Sequence, residues 1–511
     1  MPHLASDFAI SLPTYPKTHW IDYTGDEEAI LMRTVRWMIT AVFVALISCT
    51  MPSTVSCQQP LWVRHTSLGF KANAMLIGSS GDIYITGKAW RSGTGHDYLT
   101  VKYDADGNQV WHHYFFGETI THEDTPFAIA EDQGGNVIVT GSVDIQVNNT
   151  AGTGYGTVKY NSLGNPAWGR IYRGTQRIFP SNQARAIATD SLSNIYITGS
   201  VANGSDIGTI SYDPNGNLRW VRLTADGWGN AVTVNRFTGD VYVAGKNGFY
   251  SILIKYSSSG NELWAFTESG FQGEAFAIGI DTQGNIYVAG VATGGDTRDV
   301  FVSKFNSSGV RQWVRIYDGG RHDDVKALAL DVNRSVYLTG ISQGAETGND
   351  YVTLKYDTNG NLQWVRRYHH GDDQAYGLAV GFLSGDVYVT GRSSNKIATL
   401  KYDTNGNQQW VRRYELRTGE GIGVGLYEYE LGVPTVYVVG TTQSNYTVIK
   451  YPDCYVEGDV DGNCCVDDAD LLETLFGFGQ TGIDLKGDLN SDGVVDDADL
   501  LQVLFNFGSG C

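Results

Sequence analysis

Eight times along 511 residues a tryptophan is followed by a run of the type hydrophobic-Tyr-hydrophobic-x-Gly, with Ile138 in place of the tyrosine in the second, then by Lys-Tyr or a near equivalent. The tryptophans are Trp62, Trp111, Trp168, Trp220, Trp264, Trp313, Trp364 and Trp410. The middle runs end at Gly87, Gly141, Gly199, Gly245, Gly290, Gly340, Gly391 and Gly440. The third marker falls at Tyr103, Tyr160, Tyr212, Tyr256, Phe305, Tyr356, Tyr402 and Tyr451, and each series steps by 44 to 58 residues. A period of that length is one supersecondary unit that cannot bury its apolar faces alone, so the repeat decides the architecture before any local propensity does.

Each unit carries four short strand signals. In the sixth and the start of the seventh these are residues 325–331, 335–340, 350–357 and 362–368, alternating runs rich in β-branched and aromatic side chains. Asp-, Asn- and Gly-containing loops join them as antiparallel hairpins. No part of the repeat holds a helical period, and four antiparallel strands repeated eight times predict a β-propeller. Small residues in the first strand (Ala72 and Ala74, Ala184 and Ala186, Ala275 and Ala277) suit the crowded centre of a ring, which leaves the tryptophan strand outermost. Seven Asp/Asn/Ser-x-x-Gly links join a Lys-Tyr strand to the next tryptophan, with glycines at 107, 164, 216, 260, 309, 360 and 406. The eighth is missing: Tyr451 runs into Pro452, and Trp62 has no preceding partner. Pairing of the Trp62 strand with the Tyr451 strand would close the ring and leave no open edge. Eight four-stranded blades are expected, with seven blades and a stray unit as the alternative.

The string A-x-A, D-x-x-G-N-hydrophobic-Y-hydrophobic-x-G, K-Y-D-x-x-G-N-x-x-W resembles the bacterial seven-bladed β-propeller repeat over residues 61–451. That resemblance implies the fold and little about function, and eight units depart from the family's name. The D-x-x-G-x-x-x-W link is also similar to that of quinoprotein propellers, without an accompanying cofactor constellation.

Charge divides the chain unevenly. The net charge is −19, and residues 453–511 supply −13 of it through twelve Asp and two Glu against Lys486. No basic footprint for nucleic acid exists, and a short acidic module suggests bound cations. Residues 488–499 place oxygen donors at Asp488, Asn490, Asp492, Asp496 and Asp499, with Gly493 at the sharp turn and the Val494 carbonyl available, which is the spacing of a calcium loop. A second copy lies 29 residues earlier at Asp459, Asp461, Asn463, Cys465 (through its carbonyl), Asp467 and Asp470, with Cys464 at the glycine position. Apolar helical patterns follow each loop: Leu471, Leu472, Leu475 and Phe476, then Leu500, Leu501, Leu504 and Phe505. Two such loops ending in Asp, each followed by one helix, resemble a type I dockerin over about residues 454–511. The resemblance implies two calcium ions, calcium-dependent folding, and docking to a cohesin on another protein. Cellulosomal dockerins use hydroxyl residues at loop positions 10 and 11. Here those are Asp468 and Ala469, and Asp497 and Ala498, which argues against a cellulosome-type cohesin. Cys454, Cys464, Cys465 and Cys511 lie in the same module, where a disulfide clasping its ends to its first loop is expected, with the pairing open.

The first 57 residues read as an export segment. Arg33 and Arg36 precede an apolar run from Trp37 to Ile47, too short for a typical transmembrane helix, and Met32 is the preferred start. Leu46-Ile47-Ser48-Cys49 resembles a bacterial lipoprotein signal, which would put a lipid on Cys49; ordinary cleavage, for example after Ser56, is the alternative. Both make the protein secreted or cell-surface.

The three expected regions are therefore an N-terminal segment (1–57), a propeller (58–451) and a small helical calcium-loop domain (452–511). His112 and His113, with His369 and His370, are expected to face solvent. The repeated lysines are expected to pack their stems along the blades. Glu123 and Asp124, Asp323 and Asp324, and Asp372 and Asp373 precede innermost strands, where they would line a channel mouth and hold a ligand or cation. The function expected is an exported, non-enzymatic binding or scaffold propeller docked to a cohesin-like or other cell-surface protein through residues 452–511. The alternative is a protein that binds or degrades polysaccharide in an extracellular carbohydrate-active assembly, with a glycan as the propeller's ligand.

Overall fold

The structure is a computed structural model that describes residues 60–118, 123–147, 150–174, 181–202, 205–294, 297–428, 434–452, 458–460, 466–482, 485, 487–490 and 492–509. The export segment with Cys49, all the cysteines, and the loop donors Asp461 and Asn463 lie outside the described residues. No described helix is long and apolar enough to cross a membrane.

Eight four-stranded antiparallel sheets make up the repeat region. Blade six is typical, with strands Asp323–Leu330, Val336–Gly344, Gly348–Tyr356 and Leu362–Tyr368 in simple up-and-down order. Blade eight takes three strands, Gly419–Glu428, Pro434–Thr442 and Asn445–Tyr451, from the end of the repeat. Its fourth is Trp62–Thr66, paired antiparallel with Trp62 opposite Lys450 and Thr66 opposite Tyr446. Eight blades and closure by both ends are thus as the sequence predicts, and the seven-blade alternative is excluded.

First strands of successive blades meet one another around the axis, which is why they are Ala- and Gly-rich. Each carries a bulge opposite the glycine that ends the Val-Tyr-Val run. In blade six a Cβ on Gly340 would lie 1.9 Å from the Asp324 carbonyl oxygen, so that position admits no side chain. The core lies in the seams between blades. One cluster joins Tyr287, Ala289, Val300 and Val302 of blade five to Val325, Val336, Leu338, Val352 and Leu354 of blade six. Burial of these middle strands supplies most of the hydrophobic stabilisation, at roughly 25 cal/mol per Å² of apolar surface.

The tryptophans contribute less to burial than a core ring would. Trp220, Trp364 and Trp410 are buried, while Trp62, Trp111, Trp168, Trp264 and Trp313 remain partly open. Their role is to latch neighbours. Each of seven stacks against the Asp/Asn/Ser-x-x-Gly turn of the next blade: Gly360, at φ +81°, would place a Cβ 2.7 Å from the Trp313 ring. The Trp313 indole N–H donates to Thr358 O at 3.1 Å, and Arg315 Nε, two residues on, donates to Gly360 O at 2.7 Å. Arg64, Arg170, Arg222 and Arg366 repeat the arginine contact. Where the eighth turn is missing, Arg412 donates to Pro452 O instead.

The lysine row is more than stem packing. Lys102, Lys159, Lys255 and Lys401 pair with Asp82, Asp132, Asp240 and Asp386 at 2.8, 2.6, 2.8 and 3.0 Å. Lys159, Lys304 and Lys355 donate to backbone carbonyls of the following blade at 3.1, 2.9 and 2.9 Å. These positions are framework, and their charge is used in it.

After the ring come two short helices, α1 (Asp468–Gly477) and α2 (Asp497–Phe505). Each begins with a reciprocal capping box, Asp467 with Asp470 and Asp496 with Asp499. Val460, Val466, Leu489 and Val503 form a small core between them.

Candidate functional sites

The Asp488 loop is built by its own side chains. Asp488 accepts N–H bonds from Asp492 (3.2 Å) and Gly493 (2.9 Å), Asn490 accepts from Asp492 (2.9 Å), and Asp492 accepts from Val494 (2.9 Å). These bonds wind the chain around one point, and Gly493 takes φ +90° where it turns. Val494 bridges to Thr481, and Val495 exchanges backbone bonds with Gly479 and Gln480, anchoring the loop's exit. Asp499 is fully buried and accepts from Leu489 (2.7 Å), Asn490 (3.1 Å) and Asp496 (2.9 Å). It ties the loop's start to its end as well as to α2. Burial, together with the nearby Asp499 and Asp492 carboxylates, pushes the Asp488 carboxyl up despite the N–H groups of Gly493 and Asp492.

The preceding copy shows the same bracing where it is described. Asp470 is buried and accepts from Val460 (2.6 Å) and Asp467 (2.9 Å), the counterparts of Leu489 and Asp496. Asp459 is buried as Asp488 is. The carboxylate- and amide-rich loop has the hard oxygen donors that suit calcium. Sequence spacing found these residues but missed that the final Asp of each loop is a brace as much as a donor.

The helices leave their apolar side uncovered. Leu472, Leu475, Phe476, Leu501, Leu504 and Phe505 are exposed, Phe476 at 80% and Phe505 at 72%. A shallow groove of about 480 Å³ beside α1 is lined by Ala469, Leu472, Glu473, Phe476, Gly477 and Gln480.

The acidic pairs of the propeller divide. Asp124, Asp323 and Asp373 are buried in the seams between blades, so they do not line the channel mouth as expected. Their neighbours Glu123 and Asp372 are exposed. Burial, with Asp144 and Asp97 adding, pushes Asp124 up to about 7 against N–H bonds from Gly117 and Asp144. The histidines divide too. His112 and His370 face solvent, but His113 is half-buried and stacks on Tyr160 at 5.3 Å and 16°. His369, although exposed, places Nδ1 3.0 Å from Asp350.

A patch outside the repeat positions was not anticipated. Trp90, 66% exposed, and Phe70 both pack on His96, with ring centroids 5.2 and 5.1 Å away. His96 Nδ1 lies 3.2 Å from Glu123, which also pairs with Lys88 at 2.5 Å. Open aromatic rings and a carboxylate thus converge beside blade one.

No family model matches the chain, and no curated protein matches it. Solved propellers do. The structure of Sqt1 from Chaetomium thermophilum superposes with a TM-score of 0.52 at 12% identity, covering 77% of this chain and 98% of that one. The Dos1 propeller superposes with a TM-score of 0.51 at 8% identity, covering 77% and 95%. The C-terminal WD40 domain of Sif2 aligns with a TM-score of 0.48 at 8% identity over 78% and 99%. At such identities the first two likenesses establish the propeller architecture alone.

Proposed function

We propose that this protein is an exported binding scaffold whose propeller presents ligand surfaces and whose C-terminal module, stabilised by two calcium ions, docks it to a partner. The observation that carries the proposal is the duplicated loop and helix. Two sets of spaced oxygen donors, each braced by a buried Asp, support two short helices with an uncovered apolar face. Asp459, Asp461, Asn463, the Cys465 carbonyl, Asp467 and Asp470 would hold one ion. Asp488, Asn490, Asp492, the Val494 carbonyl, Asp496 and Asp499 would hold the other. The dockerin likeness of the sequence supports a cohesin-like or other cell-surface partner. Ala469 and Ala498, with Phe476 and Phe505 beside them, favour a partner that offers apolar complement rather than hydroxyl contacts.

Calorimetric calcium titration of the full chain tests the first half: Asp459→Ala and Asp488→Ala should each remove one ion, with the Asp488 site the tighter. Unchanged stoichiometry in both variants would sink it. The docking half predicts a calcium-dependent partner from the cell-surface fraction that is retained by the parent chain and lost with Phe476→Ser and Phe505→Ser. Retention by that double variant, or in chelator, would count against it.

The Trp90, Phe70, His96 and Glu123 patch favours a second reading, in which the propeller binds glycans. Stacking of a sugar ring on exposed indole would make Trp90→Ala abolish any signal on a glycan array, while leaving calcium binding untouched. An array with no signal for the parent chain would exclude it.

A further inference from the structure

The seams of the ring hold three copies of one acidic place. The residue near the start of a blade's third strand is Asp97 in blade one, Asp299 in blade five and Asp350 in blade six. Each lies close to an acid at the start of the next blade's first strand: Asp124, Asp323 and Asp373. Carboxylates side by side, both buried except for half-buried Asp299, are costly unless something neutralises them.

In two copies a side chain does so. Arg91 Nη1 lies 3.1 Å from Asp97 Oδ2. Arg367 Nη2 lies 2.8 Å from Asp350 Oδ2, and His369 Nδ1 is 3.0 Å from Asp350 Oδ1 and 3.8 Å from Asp373 Oδ2. Blade five breaks the pattern. Counted from its tryptophan, Ile316 stands where blade six has Arg367, and Asp318 stands where it has His369. One cation is replaced by an alkyl chain and the other by a third acid.

The surrounding charges do not make up the difference. Arg298 is paired with Asp324 at 2.9 Å, and Lys326 reaches the same carboxylate at 3.9 Å. Arg367, across the seam, is bound to Asp350 and to Ser342 O at 3.0 Å, and acts on Asp323 only through space, as the smallest influence on it. His322 is the remaining basic group acting on Asp299. Asp323 is 1% exposed. Its Oδ2 accepts from Gly319 N–H at 2.6 Å; Ser342 and Thr297 are the hydroxyls beside Asp323 and Asp299, and the buried Oδ1 of each carboxylate lacks a well-aligned donor. The Ser342 hydroxyl, also buried, lies beside Gly319 with Asp323 Oδ1 and is the neutral donor nearest Asp323 and Tyr317. Orphan oxygens occur at Asp97 and Asp373 as well, but there a guanidinium stands within the cluster. Candidate ligand atoms of Asp299, Asp318 and Asp323 all lie within 4.8 Å of one another. Opposed oxygens on an ion with bonds of about 2.4 Å, the calcium range, stand no farther apart than that, so one ion reaches all three.

We propose that Asp299, Asp318 and Asp323 form a divalent cation site, of calcium type, that pins blade five to blade six where the other two acidic seams use arginine. Three carboxylates supply the charge, and exposed Asp318 leaves room for water to complete a hard-oxygen shell. The ion replaces the missing side-chain cations.

The test uses the full chain with Asp459→Ala and Asp488→Ala, so that the module's loops do not contribute and the outcome is independent of the function proposed above. Calcium titration of this background by calorimetry, followed by thermal unfolding, should show about one further ion, with affinity in the range of extracellular sites (~10⁻⁴–10⁻³ M), and a calcium-dependent rise in Tm. Asp318→Ala should weaken binding at least tenfold. Ile316→Arg, which imports the counter-charge of blade six, should abolish the response and raise the calcium-free Tm. Both positions are exposed, so neither variant depends on repacking a core; Asp323→Asn is the buried companion. No ion in the background chain, or equal binding in all variants, overturns the proposal. So does a Tm that responds to acid and not to calcium, since a shared proton would then neutralise the cluster.

Discussion

Gly360, Trp313 and Arg315 show how little each residue of the repeat is free to change. The glycine's positive φ and the indole against it exclude a Cβ, so Gly360→Ala should cost about 1–3 kcal/mol of stability, read as a lowered denaturation midpoint. Arg315→Ala should cost less, since its hydrogen bonds to the Gly360 and Val314 carbonyls are at a partly solvated site. Asp124 offers a test of burial. Its folded value of about 7 lies above that of the unfolded chain, so its contribution is fully present below about pH 4 and is lost as pH rises through 7. The disadvantage of Asp124→Asn should therefore be largest near pH 4 and shrink by pH 8, by on the order of 2–4 kcal/mol. A pH-independent difference would show that the carboxyl is not held neutral. At this scale the sequence disclosed which residues recur but not what they touch. The Trp-x-Arg spacing was visible, yet only the next blade's turn, some 45 residues away, explains the arginine.

Among the elements, the strand Trp62–Thr66 carries the greatest structural consequence for its length. Removing residues up to Thr66 should expose the edge of Asn445–Tyr451 and shift the chain to larger oligomers or aggregate than the parent on size-exclusion chromatography. His65 sits in this seam, with Nδ1 3.0 Å from Thr447 Oγ1 and Nε2 3.1 Å from the Tyr414 hydroxyl. Burial, then Arg417, lowers it to about 4. A depressed histidine stabilises above its unfolded value near 6.5 and loses that contribution as pH falls through 4. Acidification across that window should loosen the seam, and hydrogen exchange in Asn445–Tyr451 should report it; His65→Gln should remove the dependence. The strand order, the closure and both helices were legible because each rests on local periodicity or on a missing link in a repeat. The seam acids were not, because their meaning depends on which side chain faces them across a blade boundary. Ile316 and Asp318 look unremarkable until aligned with Arg367 and His369.

For the whole molecule, the division of labour follows from where regularity stops. The ring's repeated aromatics, lysines and turn acids are its framework, and the surfaces proposed for binding are those that depart from it: the Trp90 patch, the seam of Asp299, Asp318 and Asp323, and the helical module. If the module depends on calcium as proposed, chelation should abolish a small unfolding transition in scanning calorimetry and leave the main propeller transition standing. A single transition that moves as one with calcium would instead mean that the two parts unfold together.

The seam also has a mechanical meaning. Asn445–Tyr451 lies between two partner strands, Pro434–Thr442 and Trp62–Thr66, and leads directly to Pro452, which Arg412 holds. A pull applied through a docked C-terminal module would enter the ring along this strand and load both flanking ladders in shear, rather than peeling one edge open. If the module docks as proposed, the place where the chain closes its circle is also the place that takes the tension.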